Sequence, residues 1–195
     1  MKRIILGSNS PRRRELLAGL DVDFTVDTGN TFEEKLEEGL EAHEVPLRLS
    51  EGKSHGFHRP LAGDEVLITS DTVVIVDGEV LGKPHSREDA VEMLRKLSGR
   101  AHEVVTAVTL RDSSREETFS VSTQVHFEPL TQDEIDYYID KYRPFDKAGA
   151  YGIQEWIGYV GISAIEGSFY NVMGFPVHRV WQALQPFLTE DKSLS

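Results

Sequence analysis

The sequence predicts an α/β fold built on a mixed sheet. Two observations carry this. Apolar strand patterns alternate with helical patterns through the N-terminal half, and a long antiparallel hairpin at 102–128 then interrupts the alternation. A third observation bounds it: 195 residues with 39% apolar and 28% charged side chains make an ordinary globular composition, long enough to bury a real core. The expected organisation is a single domain over residues 1–190 with a frayed tail at 191–195.

The elements follow in order. Residues 3–7, Arg-Ile-Ile-Leu-Gly, read as a short buried strand. Ser10 is a good N-cap, and Pro11 suits the first helical position, where its missing N–H costs nothing. A helix is therefore expected over Pro11–Leu20, with Leu16, Leu17 and Leu20 on its apolar stripe. Residues 23–27 alternate like an exposed edge strand, and 28–43 form an acidic, glycine-punctuated loop or weak helix. A second helix is expected from about Pro46 to Phe57. Residues 66–76 are two apolar runs around a polar centre, Thr69-Ser70-Asp71-Thr72, and Asp77-Gly78 turns the chain into Glu79-Val80-Leu81. Residues 86–98 carry a capping-box variant (Ser86, Asp89), an apolar stripe (Ala90, Met93, Leu94, Leu97) and a C′ glycine, Gly99. Residues 102–112 and 117–128 are rich in β-branched side chains and are joined by the polar turn Asp112–Arg115. Thr131 and Glu134 open a helix over 131–142 with a full capping box. Residues 144–171 read as glycine-rich and irregular, and 176–188 as the closing helix.

Composition also excludes functions. With no cysteine, disulfides, thiolate metal sites and a cysteine nucleophile are ruled out. The 21 Lys+Arg against 33 Asp+Glu give a net charge of −12, which argues against a nucleic-acid polymer as partner. No apolar run approaches the ~20 residues of a membrane span. The segment Ile4-Ile5-Leu6 behind Lys2-Arg3 is too short for a signal peptide's apolar region. No membrane partner and a cytoplasmic location are expected. An anionic ligand would need a local basic exception, or a metal.

Five segments could carry chemistry. Ser8-x-Ser10-Pro11-Arg12-Arg13-Arg14 lies between a strand and a helix, the usual anion site of α/β folds. Positive charge in a first helical turn opposes the macrodipole, which a bound anion would relieve; a solvated basic face is the alternative. Asp71 sits between Val-Leu-Ile and Val-Val-Ile-Val, where an unpaired carboxylate is expensive to bury. A bulge or a buried hydrogen-bonded aspartate is its structural alternative. Gly82-Lys83-Pro84 holds a lysine between flexible and rigid neighbours, suited to meet a phosphate but without the spacing of a P-loop, and by itself it reads as a surface turn. Asp146–Gln154 is a small-residue loop ending in an amide able to read a base edge, or simply a surface loop. Glu33-Glu34 and Glu37-Glu38 form a solvated acidic run that could also supply a hard-cation ligand. His55 and His58 are close enough to share a helix face but have no third ligand nearby, so the histidines read as surface or core residues.

Taken together, Ser8–Leu17, Leu49–Lys53, Ser70–Val74, Gly82–Pro84, Met93–Gly99, Asp146–Gln154 and Gly167–Pro176 resemble, in order and over nearly the whole chain, the Maf family of nucleoside triphosphate pyrophosphatases. The resemblance implies a fold like that of the inosine triphosphate pyrophosphatases, with two lobes around a central cleft. It implies hydrolysis of a nucleoside triphosphate to monophosphate and pyrophosphate with a divalent cation, Mg or Mn. By position, Asp71 is the implied general base. Ser8, Arg12, Arg13, Lys53 and Lys83 are the implied phosphate ligands. Glu34 and Asp71 are the implied metal ligands, with Glu33 the alternative to Glu34 if the loop register differs by one. Arg12, Thr72 and Gln154 match the branch acting on dTTP and UTP rather than that acting on 7-methyl-GTP. Ser54 departs from the alanine frequent in the family and is expected to matter little. The rival readings are a housecleaning enzyme for modified purine nucleotides and a nucleotide-binding regulator of septum formation. A weak homodimer is compatible with the sequence.

Overall fold

The structure, a computed structural model, describes residues 2–35 and 39–189. Glu37, Glu38 and the expected tail at 191–195 lie outside the described residues. The elements are β1 (Arg3–Leu6), α1 (Pro11–Ala18), β2 (Phe24–Val26), α2 (Glu44–His55), β3 (Glu65–Val76), β4 (Glu79–Leu81), α3 (Arg87–Leu97), β5 (Ala101–Arg111), β6 (Glu116–Phe127), α4 (Gln132–Tyr142), α5 (Trp156–Gly161), β7 (Ile162–Glu166), α6 (Phe169–Met173) and α7 (Val177–Leu188). The strands form one sheet in the order β2-β1-β3-β5-β6-β7, with β4 also paired to β3. β1 runs parallel to β2 and β3, whereas β4 on β3 and β7 on β6 are antiparallel, so the sheet is mixed as the sequence predicts.

Local chemistry sets most boundaries. Ser10 Oγ accepts from Arg13 N at 3.4 Å and starts α1. The capping box of α4 is complete: Thr131 Oγ1 accepts from Glu134 N at 3.2 Å and Glu134 Oε2 from Thr131 N at 2.8 Å. At α3 the shorter Asp89 carboxylate instead accepts from His85 N at 2.9 Å, one residue before the cap, while Ser86 Oγ takes Asp89 N at 3.0 Å. Asp77 and Gly78 have φ of 51° and 76°, the left-handed pair that a two-residue hairpin turn requires. α2 ends at His55, so His58 does not share its face: His55 meets Glu116 at 2.6 Å and His58 meets Asp27 at 3.0 Å.

The chain divides into two compact units. The first comprises Met1–Asp71, Thr106–Val121 and Gly174–Ser195, with Ile5, Leu6, Leu17, Leu67, Leu110, Leu184 and Phe187 in its core. The second comprises Thr72–Val105 and Ser122–Met173, and packs Leu94, Leu97, Val125, Ile135, Tyr138 and Ile139 together. Within it lies the main correction to the sequence reading. Residues 144–171 are not irregular: they hold a 3₁₀ turn at Ala148–Ala150, α5, β7 and most of α6. Their glycines mark close approach rather than looseness. At Gly158 a Cβ would lie 1.8 Å from the Ile153 carbonyl oxygen, which only glycine avoids.

Candidate active site

In the first unit, the chain leaves β1 at Ser8 and enters α1 through Ser10. Ser8 Oγ accepts from Ser10 N at 3.2 Å and from an Arg13 terminal nitrogen at 3.4 Å. Arg13 also donates to the carbonyls of Gly174 (2.9 Å) and Ser70 (3.2 Å). These acceptors are neutral, so they hold the guanidinium without cancelling its charge. Burial lowers the Arg13 pKa to about 10; Asp71 opposes that shift and Arg12 adds to it. Consecutive helical residues start about 100° apart, so the three arginines differ in their surroundings, while Arg12 and Arg13 stay close enough to repel. Arg13 turns to Ser8 and Ser70, Arg12 is half-buried, and Arg14 is exposed.

β3 is buried along its length except at Asp71 and Thr72. The strand therefore opens around Asp71, which avoids the cost of an unsolvated carboxylate there; its other carboxylate, Glu65, is buried but paired with Arg59 at 2.7 Å. Lys53 on α2 places Nζ 2.6 Å from Asp71 Oδ1 and 2.9 Å from Glu34 Oε1. One helical turn earlier, Ser50 fixes the register of α2 on β3. Thr69 Oγ1 donates to the Ser50 carbonyl at 2.9 Å, Ser50 Oγ to the Thr69 carbonyl at 3.3 Å, and Ser50 Oγ lies 2.9 Å from Thr109 Oγ1. The Lys53–Asp71 pair thus rests on buried reciprocal hydrogen bonds. Glu33 turns instead to Lys35, at 2.5 Å.

Two carboxylates from a loop and a strand meeting on one cationic nitrogen form a donor set that fits a hard divalent ion. Such an ion takes one or two protein carboxylates and completes its shell with water and substrate phosphate. Among the described residues no group of three or more His, Asp or Glu could hold a metal by itself, so substrate oxygens would be needed.

In the second unit, Thr72 continues β3. Lys83 is exposed in the turn after β4, beside buried Pro84. The Gly82 carbonyl in that turn accepts from Gly149 N at 3.1 Å. Gln154 lines a groove of about 410 Å³ with Ile153, Tyr159, Ile162 and Phe169, and its Oε1 is buried without a hydrogen-bond partner. Gly149 has φ 69°, and a Cβ there would meet Val74 Cγ2 at 2.8 Å. Gly149→Ala is therefore expected to destabilise the protein by about 2–4 kcal/mol, from left-handed backbone strain plus overpacking. Thermal denaturation checks this against Gly63→Ala, where a Cβ meets nothing within 4 Å.

A family model described as Maf-like protein matches residues 3–187. The chain belongs to the Maf family. Among Maf relatives, a dTTP/UTP pyrophosphatase of Porphyromonas gingivalis (strain ATCC 33277) is 51% identical over 187 residues, covering 95% of this chain and 94% of the relative. One of Bacteroides thetaiotaomicron is 49% identical over 183 residues, covering 94% and 95%. Among solved structures, the Ham1 protein of Staphylococcus aureus aligns with a TM-score of 0.51 at 18% identity, covering 96% of this chain and 100% of that one. That likeness concerns the fold alone, and agrees with the expected inosine triphosphate pyrophosphatase-like class.

One departure from the Maf pattern is less neutral than expected. Ser54 is fully buried; its Oγ accepts from Arg111 Nε at 2.9 Å and its carbonyl from an Arg111 terminal nitrogen at 2.6 Å. The hydroxyl thus ties the residue after Lys53 to β5. The contacts of Ser50, His102 and the Tyr151 hydroxyl were not legible in the sequence. A lone serine in a helix and a lone histidine in a strand carry no local signal of the partners they find.

Proposed function

We propose that this chain is a nucleoside triphosphate pyrophosphatase that hydrolyses dTTP and UTP to the monophosphate and pyrophosphate. The observation that carries the reading is the Glu34–Lys53–Asp71 cluster, set where an otherwise buried strand opens. Maf relatives about half identical over nearly their whole length carry the name dTTP/UTP pyrophosphatase, which supports the same substrates here.

In this reading Asp71 accepts a proton from the water whose oxygen forms the new bond to the α-phosphorus, as the bond from that phosphorus to the bridging oxygen breaks and pyrophosphate leaves. Ser8, Arg12, Arg13, Lys53 and Lys83 hold phosphate oxygens, and guanidinium groups suit that task by their bidentate geometry. Arg13 enters it already positioned by its neutral partners. Glu34 and Asp71 would hold a divalent cation, Mg or Mn, which when bound supplies positive charge against the triphosphate. Arg12, Thr72 and Gln154 select the pyrimidine base. The proposed setting is a cytoplasmic enzyme, with a weak homodimer as its assembly; among the described residues no helix is long and apolar enough to cross a membrane.

The test is kcat/KM across common and modified triphosphates, by pyrophosphate release with Mg or Mn. dTTP and UTP are expected to lead by at least about tenfold, and chelation to stop turnover until either metal is restored. A lead by GTP or 7-methyl-GTP would overturn the pyrimidine assignment.

A further inference from the structure

Gln154 sits in a segment whose other residues are each held. Two residues before it, Gly152 N donates to Tyr138 Oη at 2.9 Å, and Tyr138 Oη donates to Glu155 Oε1 at 3.2 Å. Glu155 Oε1 also meets Lys147 Nζ at 3.3 Å, and Glu155 N donates to the Gly152 carbonyl at 3.0 Å. Ile153 is buried. At the start of the segment Tyr151 is buried, with its Oη 2.6 Å from His102 Nε2. Its ring is gripped edge-on by His102 (5.3 Å, 81°) and by Phe127 (5.1 Å, 83°), and His102 stacks on Phe127 (5.5 Å, 27°).

The Tyr151–His102 pair is not what packing alone would select. His102 is 2% exposed and its Nδ1 is buried with no hydrogen-bond partner. A leucine–phenylalanine pair would bury similar area without that penalty. What the polar pair adds is direction: one short bond admits one placement of the Tyr151 ring, where apolar packing tolerates several. The same stretch carries Gly149 N to the Gly82 carbonyl, beside Lys83.

We propose that His102 and Tyr151 are positioning residues for substrate selection, their hydrogen bond fixing the backbone that presents Gln154 and so setting the preference for a pyrimidine base. The inference rests on the base-reading role given to Gln154 above. It adds two residues, one from β5 and one from the loop, that act only through Gln154.

Tyr151→Phe removes the hydroxyl and keeps the ring. It is expected to cut the UTP-over-GTP ratio of kcat/KM by about fivefold or more, raising KM for UTP more than it lowers kcat. It is also expected to speed amide exchange at Gly152–Glu155 while β5 stays protected. His102→Leu should behave alike. His102→Gln, whose amide nitrogen stands near the position of Nε2, should restore most of the ratio. The Tyr151→Phe/His102→Leu double variant should be no worse than the poorer single. An unchanged ratio with unchanged exchange in Tyr151→Phe, or an equal loss on every triphosphate, would overturn the positioning role. A wild-type enzyme without pyrimidine preference would instead overturn the proposed substrate, and with it the selection that these residues are proposed to set.

Discussion

Asp71→Asn is expected to lower kcat for UTP by about a thousandfold or more, the upper range for loss of a positioned general base. The amide has nearly the volume of the carboxylate and keeps β3 packed, but it cannot accept the water's proton at neutral pH. The dissociation constant for a non-hydrolysable UTP analogue should stay within about tenfold, roughly 1.4 kcal/mol. The hydrogen bonds of Arg13 to Ser8, Ser70 and Gly174 do not involve the carboxylate, and Lys53 keeps Glu34 at 2.9 Å. Single-turnover rates and calorimetric titration of the same preparation separate the two effects. A kcat near that of the wild type would remove Asp71 from the base role, and a parallel collapse of binding would make it a substrate anchor instead.

The second large effect is a loss of stability on acidification in two separate windows. Burial, with repulsion from His126, holds the His102 imidazole at about 4, well below its ordinary 6.5. The folded state thus refuses a proton that the unfolded chain takes up near 6.5. Stability is complete above that pH and falls progressively as pH drops toward 4, by about 3 kcal/mol in all. Asp112 acts lower. Burial opposes its ionisation, but Lys2 and donors of the turn, Ser114 N at 2.8 Å and Arg115 N at 2.9 Å, outweigh that and hold the carboxyl below the usual carboxylate range. Its contribution is present above the unfolded value of 3.8 and is lost as pH falls below it. Melting temperatures from pH 8 to 3 should show both slopes. His102→Gln should flatten only the upper one and Asp112→Asn only the lower one. Parallel profiles for wild type and His102→Gln between 6.5 and 4 would place the upper transition elsewhere.

Much of the fold was legible because its causes are local. The caps of α1, α3 and α4, the Asp77-Gly78 turn and the β5–β6 hairpin follow from side chains within a few residues of each boundary. Asp71 was conspicuous because a carboxylate inside an apolar strand is expensive to bury unpaired. The choice between Glu33 and Glu34 was not legible, since a loop has no periodicity to set its register. The structure brings Glu34 to Lys53 and turns Glu33 to Lys35. Residues 144–171 misled for the opposite reason: glycine signals a break locally, whereas Gly149 and Gly158 are demanded by atoms that only the folded chain brings near.

By itself, the sequence determined the alternation of strands and helices, the mixed sheet and the residue types available for phosphate chemistry. Hydrophobic period, capping and turn preference act over a handful of residues and need no distant partner. Only the tertiary structure decided which charges meet and which stand apart: Lys53 with both Glu34 and Asp71, Arg13 on neutral carbonyls, Arg14 in solvent, His102 on Tyr151. Those pairings join residues far apart in the chain, and they are set by packing and by the expense of burying an unpaired polar group.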